Sequence, residues 1–256
     1  MLNVVDFYTG NWAQAITNAM AEGKPVYFPD GTYSVNSTIT LNSHAHFFGP
    51  GHITLNAPLT GSPGMLFKAT DAFNITLDGL KLSFTSTVLP VFEALLQFNG
   101  CSKLNISNVN ILNARKWALQ FIGCTESAIC NSTAFNSDGS AIVLDNCNKL
   151  VLTGNEIGDN NSFGIYVING TTRCSFVGNR TEANGLELIG ITYGCDKNLV
   201  MGNHAQGTGD NGISITSRFC RVIGNHCEGN LHSGIGIYGE NNLVANNVLL
   251  SNVSRH

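Results

Sequence analysis

The stretch from Leu150 to Asn225 contains LVLTGN (150–155), CSFVGN (174–179), NLVMGN (198–203) and RVIGN (221–225). Its four Gly-Asn pairs, Gly154-Asn155, Gly178-Asn179, Gly202-Asn203 and Gly224-Asn225, return at Asn spacings of 24, 24 and 22 residues. Softer copies extend the series outward. Asn108 in ISN, Asn131 in ICN and Asn247 in ANN stand at spacings of 23, 24 and 22 from their next neighbours in the series. A period this short holds one turn of a solenoid.

Each unit carries two short apolar alternations. One runs into the Gly-Asn, as in Leu150-Val151-Leu152, Leu199-Val200-Met201 and Arg221-Val222-Ile223. The other follows about a dozen residues later, as in Gly164-Ile165-Tyr166-Val167, Gly212-Ile213-Ser214-Ile215 and Gly234-Ile235-Gly236-Ile237. Period-2 runs bounded by Gly, Asn and Asp are strands. No helical stripe fits between them, and a leucine-rich consensus is missing. The pattern predicts an all-β fold, a right-handed parallel β-helix of about nine coils stacked at the inter-strand spacing of about 4.8 Å. Asn tolerates the left-handed turn conformation, and its amide can bond to the Asn above and below. The series Asn108, Asn131, Asn155, Asn179, Asn203, Asn225 and Asn247 is therefore expected to form one axial column. Cysteines keep the same beat. Cys101, Cys124, Cys147 and Cys195 precede their Asn by seven or eight residues, and Cys174 and Cys220 precede theirs by five. These positions call for reduced thiols buried in the coil interior rather than a disulfide framework.

Upstream of the repeat, residues 12–22 read as a short amphipathic helix with Ala13, Ile16, Ala19 and Met20 on one face, able to cap the first coil. The run AQAITNAMAEGKPVYFPDGTYSV (13–35) resembles the opening of the pectate-lyase-like β-helix superfamily, in the branch of phage tailspike polysaccharide depolymerases. There such a helix leads into a strand and a Pro-x-Gly-x-Tyr turn, matched here by Pro29-Asp30-Gly31-Thr32-Tyr33. Together with the coil repeat, the resemblance covers nearly the whole chain. It is specific for fold and weak for reaction, because this fold hosts many chemistries. It implies a polysaccharide substrate, a homotrimer in the full-length context and a place in a phage virion tail or outside the cell.

The 256 residues read as a single domain, 1–256, with 43% hydrophobic and only 12% charged residues. Net charge is −4, which disfavours a nucleic-acid partner. No apolar run approaches the length of a membrane helix. The start MLNVVDFYTGNW lacks the basic and apolar regions of a secretory signal, so synthesis in the cytoplasm is expected. Residues 243–252 are still in repeat, and the sequence after them shows no cap or trimerisation region. The spacing from Gly79 to Asn108 is 29 residues. The excess lies around residues 85–97, where Phe92 and Glu93 are candidates for one lip of a groove.

No metal-ligand set, calcium loop, phosphate loop or nucleophile elbow emerges, and no cofactor is implied. The periodicity exposes one chemically rich face. After each ladder Asn the first residue should point outward, the second inward and the third outward. The first outward column reads Glu156, Arg180, His204, His226, and the second reads Gly158, Glu182, Gln206, Glu228. Seven residues past the Asn, a turn column reads Arg115, Asp138, Ser162, Leu186, Asp210, His232. Asn110 falls awkwardly in this scheme, where an apolar residue is expected. Paired carboxylates are what glycosidic-bond cleavage needs, one as acid and one as base for water. Glu182, Asp210 and Glu228 are the candidate catalytic carboxylates. Glu156, Arg180, His204, His226 and His232 are candidates for binding substrate, and outward Tyr166 and Tyr238 for stacking on sugar rings. An endo-glycosidase is the leading reading. A polysaccharide lyase or uronate epimerase, and a non-catalytic carbohydrate-binding or structural tail module, are the alternatives.

Overall fold

A computed structural model describes residues 1–56, 65–85 and 94–253. Three parallel sheets of 11, 10 and 9 strands wind around one core as a right-handed β-helix of about ten turns, one more than the repeat count gave. The first sheet holds the strands that run into the Gly-Asn turns, from Leu2–Asn3 to Leu243–Ala245. The second holds the strands that leave those turns, from Thr32–Val35 to Val248–Leu250. The third runs from Ile39–Thr40 to Ile235–Ile237. Every pairing is parallel and joins one coil to the next, as in Glu156↔Arg180, Arg180↔His204 and His204↔His226.

The amino-terminal helix (α1, Trp12–Ala21) is capped by Asn11, whose side chain accepts from the Gln14 N–H. Its buried face is Ala13, Ala15, Ile16, Ala19 and Met20. It packs on the early strands Thr32–Val35 and Ile39–Thr40, closing the first coil. Inside the coils, apolar columns stack residue on residue: Leu152, Phe176, Val200 and Val222 from the first sheet, and Ile165, Ile189 and Ile213 from the third, all with no exposed surface. The eight cysteines are free thiols, and seven are buried. Burial pushes the Cys174 thiol up to about 11 and the Cys227 thiol to about 12, so neither is a nucleophile at neutral pH.

The Asn ladder is real but shorter than the sequence series. Asn155, Asn179, Asn203, Asn225 and Asn247 bond in succession, each donating from Nδ2 to the Oδ1 of the next at 2.9, 3.0, 2.9 and 3.0 Å. The same oxygens accept the preceding residue's backbone N–H, as in Asn179 N to Asn203 Oδ1 at 2.9 Å. Asn108 and Asn131 do not belong to this column. The register pairs Ser107 with Cys130 and Cys130 with Thr153, so both stand one step earlier, level with Gly154. They share its left-handed backbone, with φ of 53° and 49° against 63°. The ladder positions in those coils are Val109 and Ser132, and Ser132 N–H donates to Asn155 Oδ1. This one-residue correction also turns Asn110 outward, in line with Thr133 and Glu156. A second interior column had no counterpart in the reading of the repeat: Asn160 bonds to Asn184 at 2.9 Å and Asn230 to Asn252 at 2.7 Å.

The two Asn classes should respond oppositely to mutation. Asn203→Ala removes four hydrogen bonds and leaves buried polar groups unpaired, so we expect a loss of roughly 2–4 kcal/mol and a clearly lower thermal midpoint. Asn131→Gly, at a left-handed position, should change stability by less than about 1 kcal/mol. Similar losses for the two variants in parallel thermal melts would contradict the register.

Candidate functional site

The turns between the second and third sheets line up along the rod and form a trough. Asp159, Asn161, Ala183, Gly185, Gly207 and Gly209 line a hollow of about 380 Å³ there. Its floor is low because successive turns touch through bare backbone. A Cβ on Gly185 would stand 2.4 Å from the Asn161 carbonyl oxygen, and one on Gly209 would stand 2.1 Å from that of Gly185. The buried amides of Asn160 and Asn184 hold these turns from within. Glu182 and Gln206 end the strands on one side of the trough, and Leu186 and Asp210 follow it on the other.

Three groupings of the expected residues emerge. Arg180 and Glu182 of one strand form an ion pair at 2.8 Å. Both side chains are more than half exposed, so this pair adds little stability. Asp210 and His232, on adjacent coils, meet at 2.5 Å between Oδ1 and Nδ1. The Asn211 amide also donates to Asp210 Oδ1 at 3.3 Å. His204, His226 and Glu228 gather on the second sheet, with imidazole centroids 4.8 Å apart and His226 Nε2 3.5 Å from Glu228 Oε2. Burial first, and then the neighbouring His226, lower the His204 pKa, so its ring is neutral at pH 7. Glu156 stands outward at the head of that column, beside Arg180.

Other expectations fare differently. Arg115 and Asp138 sit one step off the turn column, in line with Asn161 rather than Ser162, and pair with each other at 3.5 Å. With Phe84, Thr85, Asn113 and Asn136 they line a larger hollow of about 500 Å³. Among the described residues the carboxylate lining that hollow is Asp138, which is paired with Arg115. Phe92 and Glu93 lie outside the described residues. Tyr166 and Tyr238 face outward on the third sheet but in different columns, three coils apart. Tyr166 stacks on Phe163 at 4.3 Å, and Tyr238 lies over Gly236.

One residue escaped the sequence reading. Glu187 follows Leu186 in the chain between the trough and the third sheet and is only 6% exposed. Desolvation raises its pKa, and the Asp210 charge pushes the same way, while hydrogen bonds from Asn211 and Ser214 oppose the rise. Glu187 and Asp210 are therefore neighbouring carboxyls in unequal surroundings, the arrangement that separates an acid from a base. No motif signalled it; in sequence it is an ordinary turn glutamate.

A raised folded pKa means that the neutral carboxyl's contribution is whole below the ordinary Glu range, near pH 4.3, and is lost as pH rises through the folded value. Glu187→Gln, which mimics the neutral form, should match the parent's thermal midpoint near pH 4 and exceed it increasingly toward pH 8. A midpoint difference that stays constant over that range would show that burial does not strain this carboxyl.

The family described as "Right handed beta helix region" matches residues 93–255, well over half of the chain, and the chain belongs to that family. No curated protein matches it. Among solved structures, the A-module of mannuronan C-5 epimerase AlgE6 from Azotobacter vinelandii superposes with a TM-score of 0.82 at 16% identity, covering 96% of this chain and 75% of that one. The enzymatically active domain of bacteriophage CBA120 tailspike protein 2 gives 0.69 at 14% identity, over 99% of this chain and 42% of that one. The gp42 tailspike of an Acinetobacter phage gives 0.70 at 12% identity, over 86% and 43%. The chain thus spans less than half the length of either tailspike. At these identities the likeness is one of fold.

Proposed function

We propose that this right-handed β-helix protein binds a polysaccharide along the trough between its second and third sheets and cleaves glycosidic bonds there. The observation that carries this reading is the Glu187–Asp210–His232 wall beside a glycine-floored trough. Glu187, whose burial favours the protonated form, donates a proton to the leaving glycosidic oxygen. Asp210, fixed by His232 and Asn211, takes a proton from the attacking water. Glu182 and Arg180, paired on the strand that leads into the trough, engage sugar hydroxyls. Glu228 faces His226 on the second sheet, and this reading assigns it no acid–base role. The structural neighbours support the substrate class, since their names include a mannuronan epimerase and the enzymatically active domain of a tailspike. The same tailspike names support a phage-tail location, and a homotrimeric assembly is part of this reading on the resemblance of residues 13–35 alone.

A second reading has one specific observation behind it. The close Asp210–His232 pair also suits abstraction of a uronate C5 proton, the first step of lyase or epimerase chemistry. A uronate carboxylate then needs a cation, and Arg180, paired with Glu182 at the strand that leads into the trough, is the candidate. The two readings part in their products: hydrolysis gives new reducing ends only, whereas elimination adds an ultraviolet-absorbing double bond.

The deciding experiment incubates the protein with a panel of bacterial surface polysaccharides and follows product mass. On any polysaccharide that is shortened, Glu187→Gln and Asp210→Asn should each cut turnover by about 100-fold or more while the thermal midpoint holds or rises. Glu182→Gln should have a smaller effect, chiefly on KM. Full activity in both wall variants rules the trough out as the catalytic site. Binding without shortening of any glycan in the panel would leave a non-catalytic carbohydrate-binding module.

A further inference from the structure

We infer that His204, His226 and Glu228 form a binding site for a divalent transition-metal ion of the zinc type on the exposed face of the second sheet. This site is separate from the trough chemistry and does not rest on it.

Its geometry follows from the fold. Parallel register stacks His204 on His226 in one outward column, and alternation brings Glu228, two residues beyond His226, to the same face. One ligand atom from each of the three side chains lies within 4.8 Å of the others. Tetrahedral zinc with nitrogen and oxygen ligands near 2.0–2.2 Å places those ligands roughly 3.4 Å apart. His226 Nε2 and Glu228 Oε2 already stand at 3.5 Å. Contraction of the remaining contacts needs only a small turn of half-buried side chains.

The donor atoms are also left wanting. The Nε2 atoms of both histidines are buried from solvent and have no hydrogen-bond partner. Buried polar atoms in native proteins are nearly always satisfied, so two adjacent orphans point to a missing ligand. A metal ion between the rings would occupy both and would neutralise Glu228. Two imidazoles and one carboxylate suit zinc, cobalt or nickel rather than the all-oxygen shells that calcium and magnesium take. Three protein ligands leave a coordination position open, and the half-exposed face leaves it accessible.

The test uses the chain itself after chelator treatment, with zinc chloride alone as the probe. Calorimetric titration should show one zinc ion per chain, and zinc should raise the thermal midpoint. His204→Ala and His226→Ala should each weaken zinc binding by at least tenfold. His44→Asn, an exposed histidine far along the rod from the cluster, should leave it unchanged. Cobalt(II) offers an independent readout on the unmutated protein, since ligation by this set gives a visible absorption band that zinc abolishes. No uptake of zinc, uptake that is equally tight in the two cluster variants, or tighter binding of calcium than of zinc would each overturn the assignment.

Discussion

The carboxyl-terminal half of this rod depends on the buried amide ladder from Asn155 to Asn247. A ladder residue sits in a turn, where its inward N–H has no strand partner, and the side-chain oxygen of the next coil's Asn takes that proton. Each Nδ2 also reaches a strand carbonyl of the coil before, as Asn203 does to Phe176. Donors and acceptors are thus matched in a buried space, where an unpaired group costs about 1–3 kcal/mol. The match works only if successive coils hold the same register. Cys101, Cys124, Cys147, Thr171, Cys195 and Ser217 all stand eight residues before their ladder position, which becomes a constant once the ladder is assigned through Val109 and Ser132. The shift from 24 to 22 residues between coils is therefore absorbed elsewhere, in the turn that follows the third sheet.

That constraint decides where chemistry can be placed. The interior accepts amides, hydroxyls and thiols that bond along the axis, and the charged groups stand on the two outer features, the sheet faces and the turns. Among the described residues Glu187 is the exception, a carboxyl carried almost wholly into the protein at a turn. Burying it costs stability in its charged form, and it lies where a second carboxyl, Asp210, is already pinned by a histidine. A poorly solvated carboxyl beside a second, hydrogen-bonded one is an arrangement that folds often carry at sites of function.

The sequence made the fold legible because its strongest signal, Gly-Asn, marks a conformational requirement and a hydrogen-bonding requirement at adjacent residues. It also misled for that reason. Asn satisfies both positions, so Asn108 and Asn131, which answer the left-handed requirement, were indistinguishable from Asn155, which answers the bonding one. The strands of the second sheet produced no apolar run because their single inward residue is often small or polar, as in Thr181, Ala205 and Cys227. Only counting from the Asn revealed their outward faces, and that count placed Glu156, Arg180, His204, His226, Glu182 and Glu228 correctly. The second amide column, through Asn160, Asn184 and Asn230, lacked a glycine partner at a fixed offset and stayed hidden. Glu187 stayed hidden too, since burial of a single turn side chain is decided by tertiary packing and leaves no periodic trace.

Stacking also explains why like residues meet on this surface without help from a specific motif. In a globular sheet, two histidines become neighbours by long-range design. In a solenoid, any residue retained at the same phase of two coils meets its copy one strand spacing away, about 4.8 Å. The first outward column passes from Glu156 through Arg180 to His204 and His226, so its charge changes coil by coil along a fixed line. A sugar chain lying along the neighbouring trough would meet a graded series of side chains at nearly constant intervals. Specificity in such a protein is then a matter of which coil carries which side chain, and the scaffold need not change for it to be altered.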